Sequence, residues 1–543
     1  MTDATASDSS TIQPRHSAAQ QAAHAAMSAV EITPTGLVGY ASSGRVLVLA
    51  PDLERAHGCA ARLQEPLKPA LLIDGAVSAR ARDGVTTFSA PAGSYRIEGH
   101  LGQFRITGED EALAELTKER FDLVLDLHPE SLRSEPLAPP GYFRTRAEEP
   151  ALEAVLAELP DMVGEFEKPR FFDYDPDICA HGRSGIGACS RCLDACPAGA
   201  ISSLLDLERI EVDPNLCQGG GICASVCPTG AIRYVFPSVK DQLERVGRGL
   251  KAFREAGGSD PILLLHAQAA TPERLSGNLI PLPLEELGSA GLDIWLSSLA
   301  YGARAVWLYR DPGLLPEVER GLEQQRVFAA ALVEGLGGQP EAIRWVDPSD
   351  PVLTEGATKG LMPEIEAARY AALGGKRTVS YLALDHLAQQ LETPVERSVP
   401  LPRGAPFGRI QVDRDKCTLC MGCVSVCPAK ALADGGEEPV LSFYEQNCVQ
   451  CGLCESACPE RAITLEARFA VDPELRARRT TLNEEPVFRC VRCGKPFATQ
   501  KMIDTITAKL SGHHMFQDSD SLRRLKMCDD CRVRDMFESG GIA

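Results

Sequence analysis

Nineteen of the twenty cysteines fall into three spaced groups, and this arrangement constrains the chain more than any other feature. The groups occupy 179–227, 417–458 and 490–531, and only Cys59, in "RAHGCAARL", stands apart. In a chain of 543 residues, thiols at short repeated intervals describe reduced metal-binding loops rather than the disulfide frame of a small secreted domain. The N-terminal "MTDATASDSSTIQPRHSAAQQAAHAAMSAV" has no basic head and no apolar h-region, so no secretory leader and a cytoplasmic location are expected. Cys59 reads as a helix or core thiol.

The second group has the most regular spacing. "CTLCMGCVSVCPAKA" supplies Cys417, Cys420, Cys423 and Cys427, and "CVQCGLCESACPERA" supplies Cys448, Cys451, Cys454 and Cys458. Thiolates at i, i+3 and i+6 wrap one face of an iron–sulfur cubane, and the fourth, followed by proline, reaches across to a second cubane. The expected sets are therefore crossed: Cys417, Cys420, Cys423 and Cys458 hold one 4Fe–4S cluster, and Cys448, Cys451, Cys454 and Cys427 hold another. Zinc knuckles have no use for the crossed Cys-Pro pattern.

The first group is an altered copy. In "CAHGRSGIGACSRCLDACPAGA", Ile186 stands at the first ligand position, and Cys179, on the glycine-rich "HGRSGIG" loop, is free to swing into the gap. That gives a set of Cys179, Cys189, Cys192 and Cys227. His181 on the same loop is a second donor, with solvation its plainer reading. In "CQGGGICASVCP" the second ligand position is Gly220, which leaves Cys217, Cys223 and Cys196 as a three-cysteine set. An open-cornered 3Fe–4S cluster, a 4Fe–4S cluster completed by water or another ligand, and an empty site remain the alternatives there.

The third group, "FRCVRCGKPFATQ" and "KMCDDCRVRD", places Cys490, Cys493, Cys528 and Cys531 in two C-x₂-C knuckles separated by 34 residues. This suits one tetrahedral zinc ion, Zn²⁺, of ribbon type. A fifth iron–sulfur cluster is the alternative, without the usual proline. His513 and His514 in the insert read as surface residues.

At the level of these residues the chain resembles a bacterial polyferredoxin, with tandem two-cluster ferredoxin modules over 179–232 and 412–465. More loosely, it is similar to the soluble iron–sulfur proteins associated with molybdenum formate dehydrogenases in proteobacteria. The segment near 260–345 is faintly similar to small iron–sulfur subunits of hydrogenases and heterodisulfide reductases, but lacks their cysteines there. The resemblance implies a cytoplasmic electron carrier, or an assembly partner, for such an enzyme.

The remaining chain alternates apolar runs and helical stretches. "GRVLVLA" (44–50), "PALLID" (69–74) and "FDLVLDL" (121–127) read as strands, with a helix near 52–64 and a hairpin in "SYRIEGHLGQFRITGED". A second α/β pattern follows: a strand in "DPILLLHA", a helix running into another strand over 287–310 with Gly302 at the join, a helix across 314–336 and a final strand, "IRWV". The expected fold class is thus α/β plus α+β: two open α/β domains, two ferredoxin-like modules and a Cys₄ zinc-ribbon-like domain. The expected boundaries are a disordered tail at 1–35, an α/β domain at 36–140, a linker at 141–176 and the altered module at 177–236. An α/β domain at 237–350, a helical linker at 351–405, the intact module at 406–467 and a zinc-binding tail at 468–543 complete the order. No phosphate loop, flavin fingerprint or nucleophile elbow is visible, so an independent catalytic site is not expected. The net charge of −19 argues against nucleic acid and for docking on a basic redox partner. No apolar run of about 18 residues suggests a membrane span. Electron transfer between a soluble dehydrogenase or reductase and a partner is the first functional expectation. An assembly or redox-regulatory role for a molybdenum or iron–sulfur enzyme is the alternative, and catalysis at an exposed iron a third.

Overall fold

The computed structural model describes residues 18–538 apart from 64, 76–84, 110–112, 131, 146–149, 271, 273, 358–359, 437, 514–515 and 517. The first domain is built on a five-stranded parallel sheet in the order Thr86–Ala90, Lys68–Asp74, Arg45–Ala50, Leu123–Asp126, Tyr142–Arg144. Its central strand is apolar on both faces because both faces are covered, so Val46, Leu47, Val48 and Leu49 are fully buried. Cys59 lies inside the helix Leu53–Ala60 and packs into this core. The segment 141–176, expected as a linker, is structured where it is described: most of it is woven into this domain, and Phe172–Tyr174 opens the first cysteine-bearing unit, ahead of the boundary expected at 177. The segment supplies the edge strand Tyr142–Arg144, and the strand Gly164–Pro169 that pairs with Leu37–Ser42.

The second domain holds a four-stranded parallel sheet in the order Leu279–Leu284, Ile262–Ala267, Ala305–Tyr309, Ile343–Val346. Trp295 and Trp307 are among its largest buried side chains. Two expected boundaries change here. Residues 18–28 belong to no disordered tail: Ala18–Ser28 is a helix whose Ala19, Ala23 and Met27 join this core, with the Met27 side chain lying against Gly249 of the helix Val239–Glu255. Residues 1–17 of the expected tail lie outside the described residues. Within 351–405, the helix Lys376–Gln390 is likewise core, since Val379, Ala383, Leu384 and Leu387 are buried in the same cluster. Burial of an apolar helix face outweighs any linker-like composition nearby.

The chain also builds two small pseudo-twofold units of the same plan. Each pairs its outer strands (Phe172–Tyr174 with Ile232–Tyr234, and Gly408–Val412 with Ile463–Ala470) around an inner hairpin. The strand Thr480–Glu484 extends the second hairpin, so the part of the tail devoted to the last four cysteines begins near Val487. Among the described residues no helix is long and apolar enough to cross a membrane.

Candidate functional site

The loops carrying the cysteines are set by local backbone chemistry. The Asp413 carboxylate accepts the N–H groups of Asp415 (3.1 Å) and Lys416 (3.3 Å), and Asp213 does the same for Asn215 (2.8 Å) and Leu216 (3.3 Å). Each turn delivers the next cysteine, Cys417 or Cys217, to its loop. Left-handed residues then bracket the second ligand position: Leu419 and Met421 around Cys420, Gln450 and Gly452 around Cys451, Gly219 and Gly221 around Gly220. A non-glycine residue pays about 1 kcal/mol for that conformation, so its recurrence marks a loop shaped by its load. Gly220 thus occupies the ligand position of an intact loop, and a Cβ placed on it would meet none of the described residues within 4 Å. Only the side chain is missing there.

A second repeated device follows each Cys-Pro. Gly199, Gly230, Lys430 and Arg461 are all left-handed. In the regular module this turn aims the next N–H at sulfur: Ala431 donates to Cys427 Sγ and Ala462 to Cys458 Sγ, both at 3.3 Å. Such bonds favour the charged sulfur and raise a cluster's reduction potential.

The thiols converge in the crossed sets. One cavity is lined by Cys179, Cys189, Cys192 and Cys227 with Ile210 and Ile232, and another by Cys427, Cys448, Cys451 and Cys454 with Ile410 and Phe443. Burial pushes Cys423 up to about 12, and its neighbours Cys417, Cys420 and Cys458 push the same way. Burial also pushes Cys223 well above the ordinary thiol range, reinforced by Cys217 and Cys196. Buried thiols that oppose one another's ionisation are a donor set whose charge a bound iron–sulfur cluster would offset, so the residues fit such groups.

The glycine-rich loop works differently from expectation. It is no flexible arm but a tight hairpin, Gly182–Arg183 against Ile186–Gly187, with Ser184 and Gly185 both at positive φ as a type I′ turn requires. The hairpin closes Cys189 N–H onto Ala180 O at 3.3 Å and so fixes Cys179 beside Cys189. His181 is neither solvated nor free to ligate. It is buried, Nδ1 pairs with Cys189 O (2.8 Å) and Nε2 with Ser203 Oγ (2.7 Å).

Each set neighbours the next. Beyond its own set, Cys223 faces Cys192; Cys451 faces Cys189; and Cys454 faces Cys423. The order is therefore the three-cysteine set, the Cys179 set, the Cys448 set and the Cys417 set. The middle junction is an apolar contact in which Ala180, Val426 and Leu453 pack with Cys189 and Cys451. Two residues that the sequence reading missed clamp this junction from the helix Lys376–Gln390. Lys376 Nζ donates to Ala224 O (2.8 Å) and Cys227 O (3.2 Å), while Arg377 donates to Cys448 O (2.6 Å) and Pro406 O (2.6 Å). The available signal was two cations in the first helical turn, where the helix dipole disfavours them.

In the C-terminal unit the sulfurs of Cys490, Cys493, Cys528 and Cys531 all lie within 4.8 Å of one another. Cys493 and Cys528 are 3.7 Å apart, against about 3.8 Å for the edge of a tetrahedron with 2.3 Å Zn–S bonds. Among the described residues no other cysteine foursome converges so closely. Burial raises the Cys490 pKa, but the N–H groups of Cys493, Cys528 and Arg492 outweigh it and hold the thiol down to about 6. His513 is exposed, and His514 lies outside the described residues.

With this geometry in hand, the comparisons with known proteins are direct. Residues 161–231 and 416–463 each match a family described as a 4Fe-4S dicluster domain. The chain is also similar to the respiratory nitrate reductase 2 beta chain of Escherichia coli (strain K12), 31% identical over 102 residues. That match covers 19% of this chain and 18% of the other, so the chain spans under a fifth of that relative's length. The chain thus carries two ferredoxin-type 4Fe–4S domains within a mixed α/β architecture, together with a cysteine-rich C-terminal unit.

Proposed function

We propose that this chain relays electrons through four iron–sulfur clusters held in single file. Three are 4Fe–4S clusters: one on Cys179, Cys189, Cys192 and Cys227, one on Cys427, Cys448, Cys451 and Cys454, and one on Cys417, Cys420, Cys423 and Cys458. The fourth, on Cys196, Cys217 and Cys223, is a 3Fe–4S cluster with its corner at Gly220, and Cys490, Cys493, Cys528 and Cys531 hold zinc. When bound, each cluster takes up or releases an electron, and the chain supplies ligation, spacing and tuning. The observation that carries this reading is the end-to-end order of the sets, with Cys189 and Cys451 meeting across the module junction. Lys376 and Arg377 hold that junction closed and place positive charge beside it, which favours the reduced state of the adjoining clusters.

The partner we propose is a cytoplasmic redox enzyme of the formate dehydrogenase kind implied by the sequence resemblance. The similarity to a nitrate reductase chain supports a place beside a respiratory enzyme. The acidic surface favours docking on a basic face of that partner.

The test is electron transfer from the chemically reduced, cluster-loaded chain to an artificial acceptor. Cys427→Ser removes a ligand from an inner set and lowers the transfer rate about tenfold or more, while the three-cysteine and Cys179 sets keep their iron. An unchanged rate with one cluster lost overturns the relay.

A further inference from the structure

A cavity of ≈ 720 Å³ lies outside the cysteine sets, between the helix Ala18–Ser28 and the parallel strands Ile262–Ala267 and Leu279–Leu284. Its wall includes Met27, Phe236, Pro281 and Pro283, with His266 and Glu285 at the C-terminal ends of the two strands and Arg245 from the helix Val239–Glu255. In open parallel sheets, small ligands bind outside these strand ends, and the size falls in the range of small-molecule sites.

His266 makes this more than a gap in the packing. It is 1% exposed, and among the described residues its Nε2 has no hydrogen-bond partner. A buried polar atom left unpaired is costly, and at the wall of a cavity it is an atom that an occupant would satisfy. Its state can be derived. Nδ1 lies 2.9 Å from Ala267 O, and a carbonyl only accepts, so Nδ1 carries the hydrogen. Burial pushes the ring toward neutrality, and the Arg245 charge adds to that against the Ala267 bond. In a neutral ring protonated at Nδ1, Nε2 offers a lone pair. Arg245 spends one N–H on Pro283 O (3.0 Å) and brings further donors to the same wall. Glu285 partly offsets its charge, so the site has no strong preference for an anion.

An acceptor beside guanidinium donors, within apolar walls, is complementary to a ligand N–H next to a carbonyl on a neutral flat ring. We propose that this cavity binds such a ring through a pyrimidinedione edge, the N–H flanked by carbonyls that isoalloxazines and uracil bases share. Its position favours the isoalloxazine. Phe236 on the cavity wall packs 6.3 Å from Phe171, which stacks at 6.1 Å on Tyr234, whose hydroxyl donates to Gly219 O at 2.9 Å. The cavity is thus joined by three aromatic rings to the loop of the three-cysteine set. The binding itself does not rest on the relay, and its test reads no electron transfer.

The test is equilibrium titration of the full-length, cluster-loaded chain with riboflavin, followed by fluorescence, and with uridine, followed by calorimetry. Riboflavin methylated at N3 serves as the ligand lacking the N–H. The expected result is one site per chain for riboflavin, with affinity lowered about tenfold or more by N3 methylation and equally by His266→Phe. Saturation by uridine instead, with the same dependence on His266, supports the edge and assigns the source to a nucleoside. The proposal is overturned if neither ligand binds below about 1 mM, or if the methylated ring binds as tightly as riboflavin. The methylation arm needs no variant, so it decides even where His266→Phe fails to fold.

Discussion

Gly220→Cys develops the account at its most distinctive position. The substitution adds a Cβ where no described residue lies within 4 Å, at a backbone outside the left-handed region, so its steric cost is close to zero. Folding stability of the cluster-free chain then shifts by no more than about 0.5 kcal/mol, as for a surface change. Its neighbour behaves differently. A Cβ on Gly221 would stand 2.5 Å from Ser289 Cα at a φ of +70°, so Gly221→Ala combines overlap with left-handed strain and costs about 2–4 kcal/mol. The new thiol on Gly220→Cys occupies the position of Cys420 and Cys451 in the same loop shape, so it completes a fourth ligand. Iron rises by about one atom per chain and the three-iron resonance of the oxidised protein disappears. The assays are metal counting, paramagnetic resonance and denaturant unfolding of both variants. A persistent three-iron signal in Gly220→Cys, or a neutral Gly221→Ala, would refute the loop register argued above.

Three further outcomes follow from the same structure. Lys376→Met removes the ammonium at Cys227 O and lowers the potential of the neighbouring clusters by several tens of millivolts, on the order expected for one partly screened charge; redox titration showing no shift contradicts the tuning role. At His128, burial disfavours the charged ring, but Asp126 at 2.7 Å and Asp74 at 3.2 Å prevail and raise its pKa above the ordinary value. That contribution is full below about pH 6.5 and is lost as pH rises through the folded value, so His128→Gln flattens the fall of the unfolding midpoint with pH; a parallel slope in the variant excludes it. For the C-terminal unit, whose buried core is little more than Cys490, Met527, Cys528 and Cys531, a zinc chelator makes 487–538 protease-sensitive while iron is retained. Protection unchanged after zinc loss would show that the metal is not structural.

The two dicluster domains were legible because cysteine spacing is dictated by the geometry of what such loops bind, whatever surrounds them. The strand cores around Val48 and Leu264 were legible for a related reason, since double-sided burial writes a continuous apolar run. What escaped was fixed by tertiary contact. The helix Lys376–Gln390 has a linker-like approach, and only its packing on the second domain and its two clamping cations reveal its part. The helix Ala18–Ser28 is small and alanine-rich, and it is ordered by docking rather than by its own propensity. The hairpin at Ser184 and Gly185 reads as flexibility in the sequence because glycine signals freedom and tight turns alike. His266 sits in an apolar strand, where only a three-dimensional count of hydrogen bonds shows its unpaired nitrogen.

The contiguity of the four sets is tested most directly by paramagnetic resonance of the anaerobic full-length protein, oxidised and then fully reduced, with iron and zinc counted on the same sample. The account predicts about 15 iron and one zinc per chain, a three-iron signal when oxidised, and reduced spectra split and broadened by coupling between adjacent clusters. Reduced spectra that add as isolated centres, or an iron count near eight, would contradict it.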